Sequence, residues 1–264
     1  MSLASDRDIL IDTVRQAGQI ARDFFQTDFQ HWQKSKNDPV TEADLAIDAL
    51  LKDKLTKARP DYGWMSEESA DDLIRLERPR VWIVDPIDGT RAFVKGRPHF
   101  TICAALVEDG ASVVGVVYNP VSDDLFEAVR GEGARRNGQP MTASETPHIE
   151  NCRMLGSEDL FRHPKWKRTW PEMTIKAMNS IALRMVLAAS GEWDACMALN
   201  GKSDWDLAAA DIITTEAGAR CTDYKGQRFT YNQETTRQSS VVVANPVLHD
   251  KLIERVAHLK LPGS

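Results

Sequence analysis

Four cysteines are scattered through the chain, Cys103, Cys152, Cys196 and Cys221, and no two form a C-x-x-C pair. With no secretory leader ahead of them, they read as free core thiols of a cytoplasmic protein rather than as a disulfide framework. The six histidines stand apart from one another and from the cysteines, so the usual zinc spacings are missing too. No apolar run approaches the length of a membrane span, which excludes an inserted segment. A basic stripe is absent and the formal charge is -6, which argues against a nucleic acid polymer as partner. Internal repeats and low-complexity tracts are absent as well. What remains is an ordinary globular composition, 264 residues at 42% hydrophobic, long enough for a substantial core in one large domain or two fused ones.

Against that background the acids stand out. Trp82-Ile83-Val84-Asp85-Pro86-Ile87-Asp88-Gly89-Thr90 is an apolar run that delivers two carboxylates into a glycine turn. Val81 to Val84 has strand composition, and Pro86 with Gly89 predicts that the strand stops at Asp85. Thr90 then opens a helix whose first N–H groups, freed by Gly89, can seat a phosphate. Acids beside an anion seat repel phosphate unless a divalent cation lies between them. An all-oxygen cluster points to Mg²⁺, Mn²⁺ or Ca²⁺.

The rest of the chain is read by its distance from that stretch. Ile9, Leu10, Val14, Ala17, Ala21 and Phe24 recur at helical spacing, with Ser5 as the expected cap. Residues 34–39 read as a polar loop, after which Thr41-Glu42-Ala43-Asp44 is a capping box opening a second helix, so Asp44 has a purely structural explanation. Tyr62 to Met65 reads as a strand ending at Glu67-Glu68-Ser69. Phe100 to Met141 reads as an antiparallel meander, with a hairpin turn at Glu108-Asp109-Gly110. The polar stretch from Thr142 to Ile149 divides the chain into halves, 1–142 and 143–264. Beyond it a helix opens at Ser180, and Trp166, Trp170 and Trp193 are assigned to packing rather than to stacking on a ligand. A further helix opens around Ser203-Asp204-Trp205-Asp206, with Asp204 the expected cap and Asp206 in the first turn, where the helix dipole favours a carboxylate.

Spacing separates two phosphatase chemistries. An aspartyl-phosphate mechanism of the haloacid dehalogenase type needs D-x-D-x-T, whereas Asp85 and Asp88 are separated by two residues rather than one. The alternative is in-line attack by a water that divalent cations activate.

Taken together, Glu67-Glu68-Ser69, Trp82 to Thr90, Trp205-Asp206-Leu207-Ala208-Ala209-Ala210 and Glu216-Ala217-Gly218 resemble the inositol monophosphatase superfamily over almost the whole chain. The resemblance implies an α/β (α+β) fold, a layered αβαβα sandwich of the sugar-phosphatase type. It implies a Mg²⁺-dependent phosphomonoesterase with two to three ions, Mn²⁺ being the other candidate, sensitivity to Li⁺, and frequently a homodimer. By the same resemblance Glu67, Asp85 and the Ile87 carbonyl would hold a first ion, and Asp85, Asp88 and Asp206 a second. Thr90, oriented by Asp44, would position the water, with Asp44, Thr90 and Glu67 the catalytic set. The N–H groups of Gly89 and Thr90 would hold the phosphate, and Lys34 falls where the family often has a loop lysine. The partner expected is a small phosphate ester of the inositol monophosphate type. One departure concerns the substrate: Leu199 stands seven residues before Asp206, where inositol-specific members carry a glutamate for a ring hydroxyl. A 3'(2'),5'-bisphosphate nucleotidase or a histidinol-phosphate phosphatase is therefore the alternative, with Asn200, Lys202 and Ser203 as specificity candidates. A non-catalytic metal or phosphometabolite binding module would keep the fold but lose an acid, and none is lost.

Overall fold

A computed structural model describes residues 2–35, 38–71, 73–164 and 166–261, with the backbone alone at Lys34, Ser35 and Asp38. Helix α1 (Leu3–Phe24) is capped by Ser2, one turn earlier than the apolar spacing indicates, because Leu3 also packs on the core. The expected polar loop is instead a hairpin of β1 (His31–Ser35) and β2 (Asp38–Thr41), whose tip lies outside the described residues. Helix α2 (Glu42–Ala58) opens with the predicted capping box, Thr41 and Asp44 exchanging side-chain and backbone hydrogen bonds.

A seven-stranded sheet follows: β3 (Gly63–Ser66), β4 (Arg80–Asp88), β5 (Thr101–Glu108), β6 (Ala111–Asn119), β7 (Asp124–Val129), β8 (Ala134–Arg136) and β9 (Gln139–Met141), in that spatial order. Only β3 and β4 run parallel; the remainder is the expected meander. The short helix α3 (Thr90–Val94) interrupts it after β4. A five-stranded sheet comes from the second half, in the order β11-β10-β12-β16-β14: β10 (Arg153–Leu155), β11 (Thr174–Lys176), β12 (Ala195–Ala198), β14 (Arg220–Thr222) and β16 (Val241–Ala244). Strands β13 (Lys202–Ser203) and β15 (Arg237–Gln238) form a small separate ladder. The helices here are α4 (Glu158–Phe161), α5 (Ile181–Ala189), α6 (Asp204–Glu216) and α7 (Pro246–Val256). The cap of α6 is Ser203, not Asp204; Asp204 instead accepts from the Asn232 amide and from Gln238. No described helix is long and apolar enough to cross a membrane.

Alternation along the strands sorts these elements into layers. Trp82 and Val84 face α1 and α2, while Val81 and Ile83 face α5 and α6. The other surface of that helix pair meets Leu155, Cys196, Val241 and Val243 of the five-stranded sheet, whose far side carries α7 and Phe161 of α4. The result is the αβαβα sandwich, with α5 and α6 enclosed between two sheets. Close approach in the middle layer depends on small residues: Ala208, Ala209 and Ala210 of α6 are buried, and a Cβ built at Gly115 of β6 would lie 2.3 Å from the Ala209 carbonyl oxygen. The tryptophans pack as expected, Trp170 edge-on to both Phe161 and Trp166.

Candidate active site

Strand β4 does not stop at Asp85. Its ladder with β5 pairs Asp85 with Cys103 and then Asp88 with Thr101, three residues against two, so one extra residue is accommodated as a bulge around Pro86. The proline has no N–H to give the ladder, and the bulge removes that requirement. It also decides geometry: residues three apart on a regular strand face opposite sides, and the inserted residue returns Asp88 to the side of Asp85. Ile87 points the other way, into the core beneath α1 and α2.

On that side Asp85 and Asp88 meet Asp206 from the first turn of α6, with one carboxylate oxygen of each within 4.8 Å of the others. Together with Glu67, Ile87, Gly89, Thr90 and Lys202 they line a cleft of about 360 Å³. Asp88 is anchored through Oδ2, which accepts from Ser180 Oγ at 2.6 Å and from the Ala182 amide at 2.7 Å, tying it to the start of α5. Asp206 Oδ2 accepts from the Ser203 amide at 2.6 Å and closes its own capping box. Asp85 differs from both: each of its oxygens is buried with no hydrogen-bond partner. Burial pushes its carboxyl well above the usual range, and the charges of Glu67, Asp88, Asp206 and Asp44 push the same way. Burial, with Asp206 next, raises Asp88 to about 7, and burial raises Asp206. A buried carboxylate without a donor is costly unless a cation compensates it. The donor set, carboxylates and one carbonyl, suits a hard divalent ion.

Gly89 makes the turn into α3 at φ +101°, and a Cβ there would lie 2.8 Å from the His99 carbonyl oxygen, so glycine is required on both counts. Thr90 Oγ1 lies 3.0 Å from the Ile87 carbonyl oxygen and 3.4 Å from Asp44 Oδ1. Asp44 Oδ2 accepts from the Thr41 amide and hydroxyl, at 2.8 and 2.5 Å. Its role as a helix cap and its place behind Thr90 are therefore both real.

One expected residue, Leu199, falls elsewhere. It packs against the cluster under α7 and lines a side hollow of about 200 Å³, not the cleft itself. The side chain of Lys34 lies outside the described residues. Conversely, Ser180 and Arg184 belong to the site although only the helix opening at Ser180 was visible in the sequence; nothing local links them to Asp88, some ninety residues earlier.

A sequence model described as the inositol monophosphatase family matches residues 2–261. The protein named Nus factor SuhB from Pasteurella multocida is 34% identical over 234 residues, 83% of this chain and 85% of that one. The inositol-1-monophosphatase of Caulobacter vibrioides is 29% identical over 259 residues, 94% of this chain and 99% of its own length. The crystal structure of the extragenic suppressor protein suhB from Bartonella henselae superposes with a TM-score of 0.83 at 28% identity, covering 96% of this chain and 99% of that one. By its sequence over residues 2–261, and in agreement with its fold, the chain belongs to the inositol monophosphatase family.

Proposed function

We propose that the protein is a Mg²⁺-dependent phosphomonoesterase that hydrolyses a small phosphorylated metabolite with water as nucleophile. The observation that carries this reading is Asp85, whose two buried and unpartnered oxygens sit among Asp88, Asp206 and Glu67. Glu67, Asp85 and the Ile87 carbonyl would hold one ion, and Asp85, Asp88 and Asp206 a second, Mn²⁺ being able to replace Mg²⁺. When bound, such ions supply charge for the phosphoryl oxygens and lower the pKa of water.

The chain's own groups do the rest. Thr90 Oγ1 has a single proton to donate, to Asp44 or to Ile87, and its lone pairs can accept from a water. Asp44 is fixed by its capping box, so the Thr90 hydroxyl has a stationary acceptor and holds that water against the ester. The N–H groups of Gly89 and Thr90 orient the phosphate. Residues 1–142 thus bring Glu67, Asp85, Asp88 and Thr90, and residues 143–264 close the site with Asp206 and the substrate wall.

Phosphate release should be seen with Mg²⁺ from at least one of inositol phosphates, adenosine 3',5'-bisphosphate, histidinol phosphate or aryl phosphates, and Li⁺ should suppress it. Asp88→Asn should cut kcat/KM on the order of a hundredfold or more while the circular dichroism spectrum is unchanged. Retained turnover in that variant would sink the assignment. Thr90→Val should lower kcat with little change in KM, as expected for a group acting on the water rather than on the ester.

A further inference from the structure

Two cations on the cleft wall make no ion pair among the described residues. Arg184, on α5, is 9% exposed, and the one hydrogen bond of its side chain among the described residues runs from Nε to the Ser180 carbonyl, at 3.3 Å. Neither it nor the half-buried Lys202 of β13 makes an ion pair or a side-chain hydrogen bond to any carboxylate among the described residues. Burial pulls the Lys202 ammonium down from its ordinary value; Asp206 and Asp88 oppose that, and the nearby charges of Arg184 and Arg237 add to it. Burying like charges side by side is unfavourable unless a ligand of opposite charge completes them.

The acid cluster would not fill that role in the loaded site, where Asp88 and Asp206 would hold divalent ions. The phosphate does not fill it either, since its proposed seat is at Gly89 and Thr90. Arg184, Lys202 and Asn200 line the same cleft as Asp206, and with the phosphate seated at Gly89 and Thr90 the rest of the cleft is left for the remainder of the substrate, which is its leaving group. There the cleft opens past Arg184, Asn200 and Ser157 into the side hollow floored by Leu160, Met197 and Leu199.

We infer that the substrate carries a second anionic group, a carboxylate or a further phosphate, on its leaving-group side, and that Arg184 and Lys202 are the residues that select it. This rests on the phosphatase reading and deepens it: a neutral polyol would leave both cations buried and uncompensated, whereas an acidic ester completes them.

The test compares paired esters in the Mg²⁺-loaded protein: glycerol 2-phosphate with 2-phosphoglycerate, and adenosine 3'-phosphate with adenosine 3',5'-bisphosphate. In at least one pair the acidic member should be favoured by about tenfold or more in kcat/KM, mainly through KM, and the pair that responds tells carboxylate from phosphate. Arg184→Met and Lys202→Met should bring that ratio towards one, and Arg184→Lys should retain part of it. A folding defect would slow both members of a pair alike and leave the ratio intact, so a ratio that survives both methionine variants overturns the inference. Turnover of both pairs without preference overturns it as well. Release from none of the four esters overturns the phosphatase reading and the inference with it.

Discussion

Asp85→Asn is expected to stabilise the metal-free protein while abolishing both turnover and its stabilisation by Mg²⁺. The carboxylate is buried, has no donor on either oxygen, and is surrounded by like charges. An amide of the same shape removes the charge and the repulsion, so the gain is about 1–3 kcal/mol where the wild-type group would be ionised. The sign with pH follows from linkage. A carboxyl raised in the folded state binds more protons there than in the unfolded chain, where it titrates near 3.9. Its contribution is therefore complete at low pH and is lost as pH rises through the folded value. For Asp88 that loss spans about pH 4 to about 7, and Asp85, raised in the same direction, loses its contribution with the same sign. Urea midpoints in EDTA at pH 5 and pH 8 should fall for wild type and fall less for Asp85→Asn. Added Mg²⁺ should restore wild type at pH 8 and do nothing for the variant, whose kcat/KM should drop on the order of a thousandfold. An unchanged pH slope, or an intact response to Mg²⁺, would count decisively against the role of Asp85.

The second large effect is expected far from any acid. At Gly115 an added Cβ would meet the Ala209 carbonyl oxygen at 2.3 Å and Ile212 Cγ2 at 2.5 Å, and backbone cannot swing aside as a flexible side chain can. Gly115→Ala must therefore lift α6 from the sheet, at about 1–3 kcal/mol or more. Asp206 lies within one turn of Ala209 on that helix, so the same displacement should carry it away from Asp85 and Asp88 and weaken Mg²⁺ binding about tenfold. Gly138 supplies the contrast. It has φ +76° and open space around its Cβ position, so Gly138→Ala should cost stability through local strain and leave metal affinity untouched. Titration of Mg²⁺ by calorimetry decides: equal affinity in the two variants would separate α6 packing from the metal site.

Much of the site can be read from the sequence because its acids occupy positions with strong local signals. Asp44 and Asp206 are the third residues of capping boxes, and Asp85 and Asp88 end an apolar run. For Asp44 and Asp206 a cap does not exclude a further role, since one carboxylate oxygen serves the helix and leaves the other for Thr90 or for the cleft. What sequence could not supply is what depends on distant pairing. The bulge at Pro86 exists only because Thr101 is there to resume the ladder, so a local reading ends the strand too early. Arg184 sits in a helix whose apolar pattern marks it as core, and only the packing of α5 against α6 and β12 turns it into the cleft. The caps at Ser2 and Ser203 were misplaced by one turn and by one residue because alternative polar residues compete within each helix start.

Asp44, Asp88 and Asp206 each hold the first turn of a different helix, α2, α5 and α6, with one carboxylate oxygen. Three helices, two of them enclosed between the sheets, are thus fastened to one patch of charge. In the language of amide hydrogen exchange, the protons of Thr41, Ala182 and Ser203 are latched by carboxylates, two of which line the cleft while the third, Asp44, reaches it through Thr90. The middle layer of the sandwich is then a recorder of the site: its exchange rates carry the history of occupancy long before any product is measured.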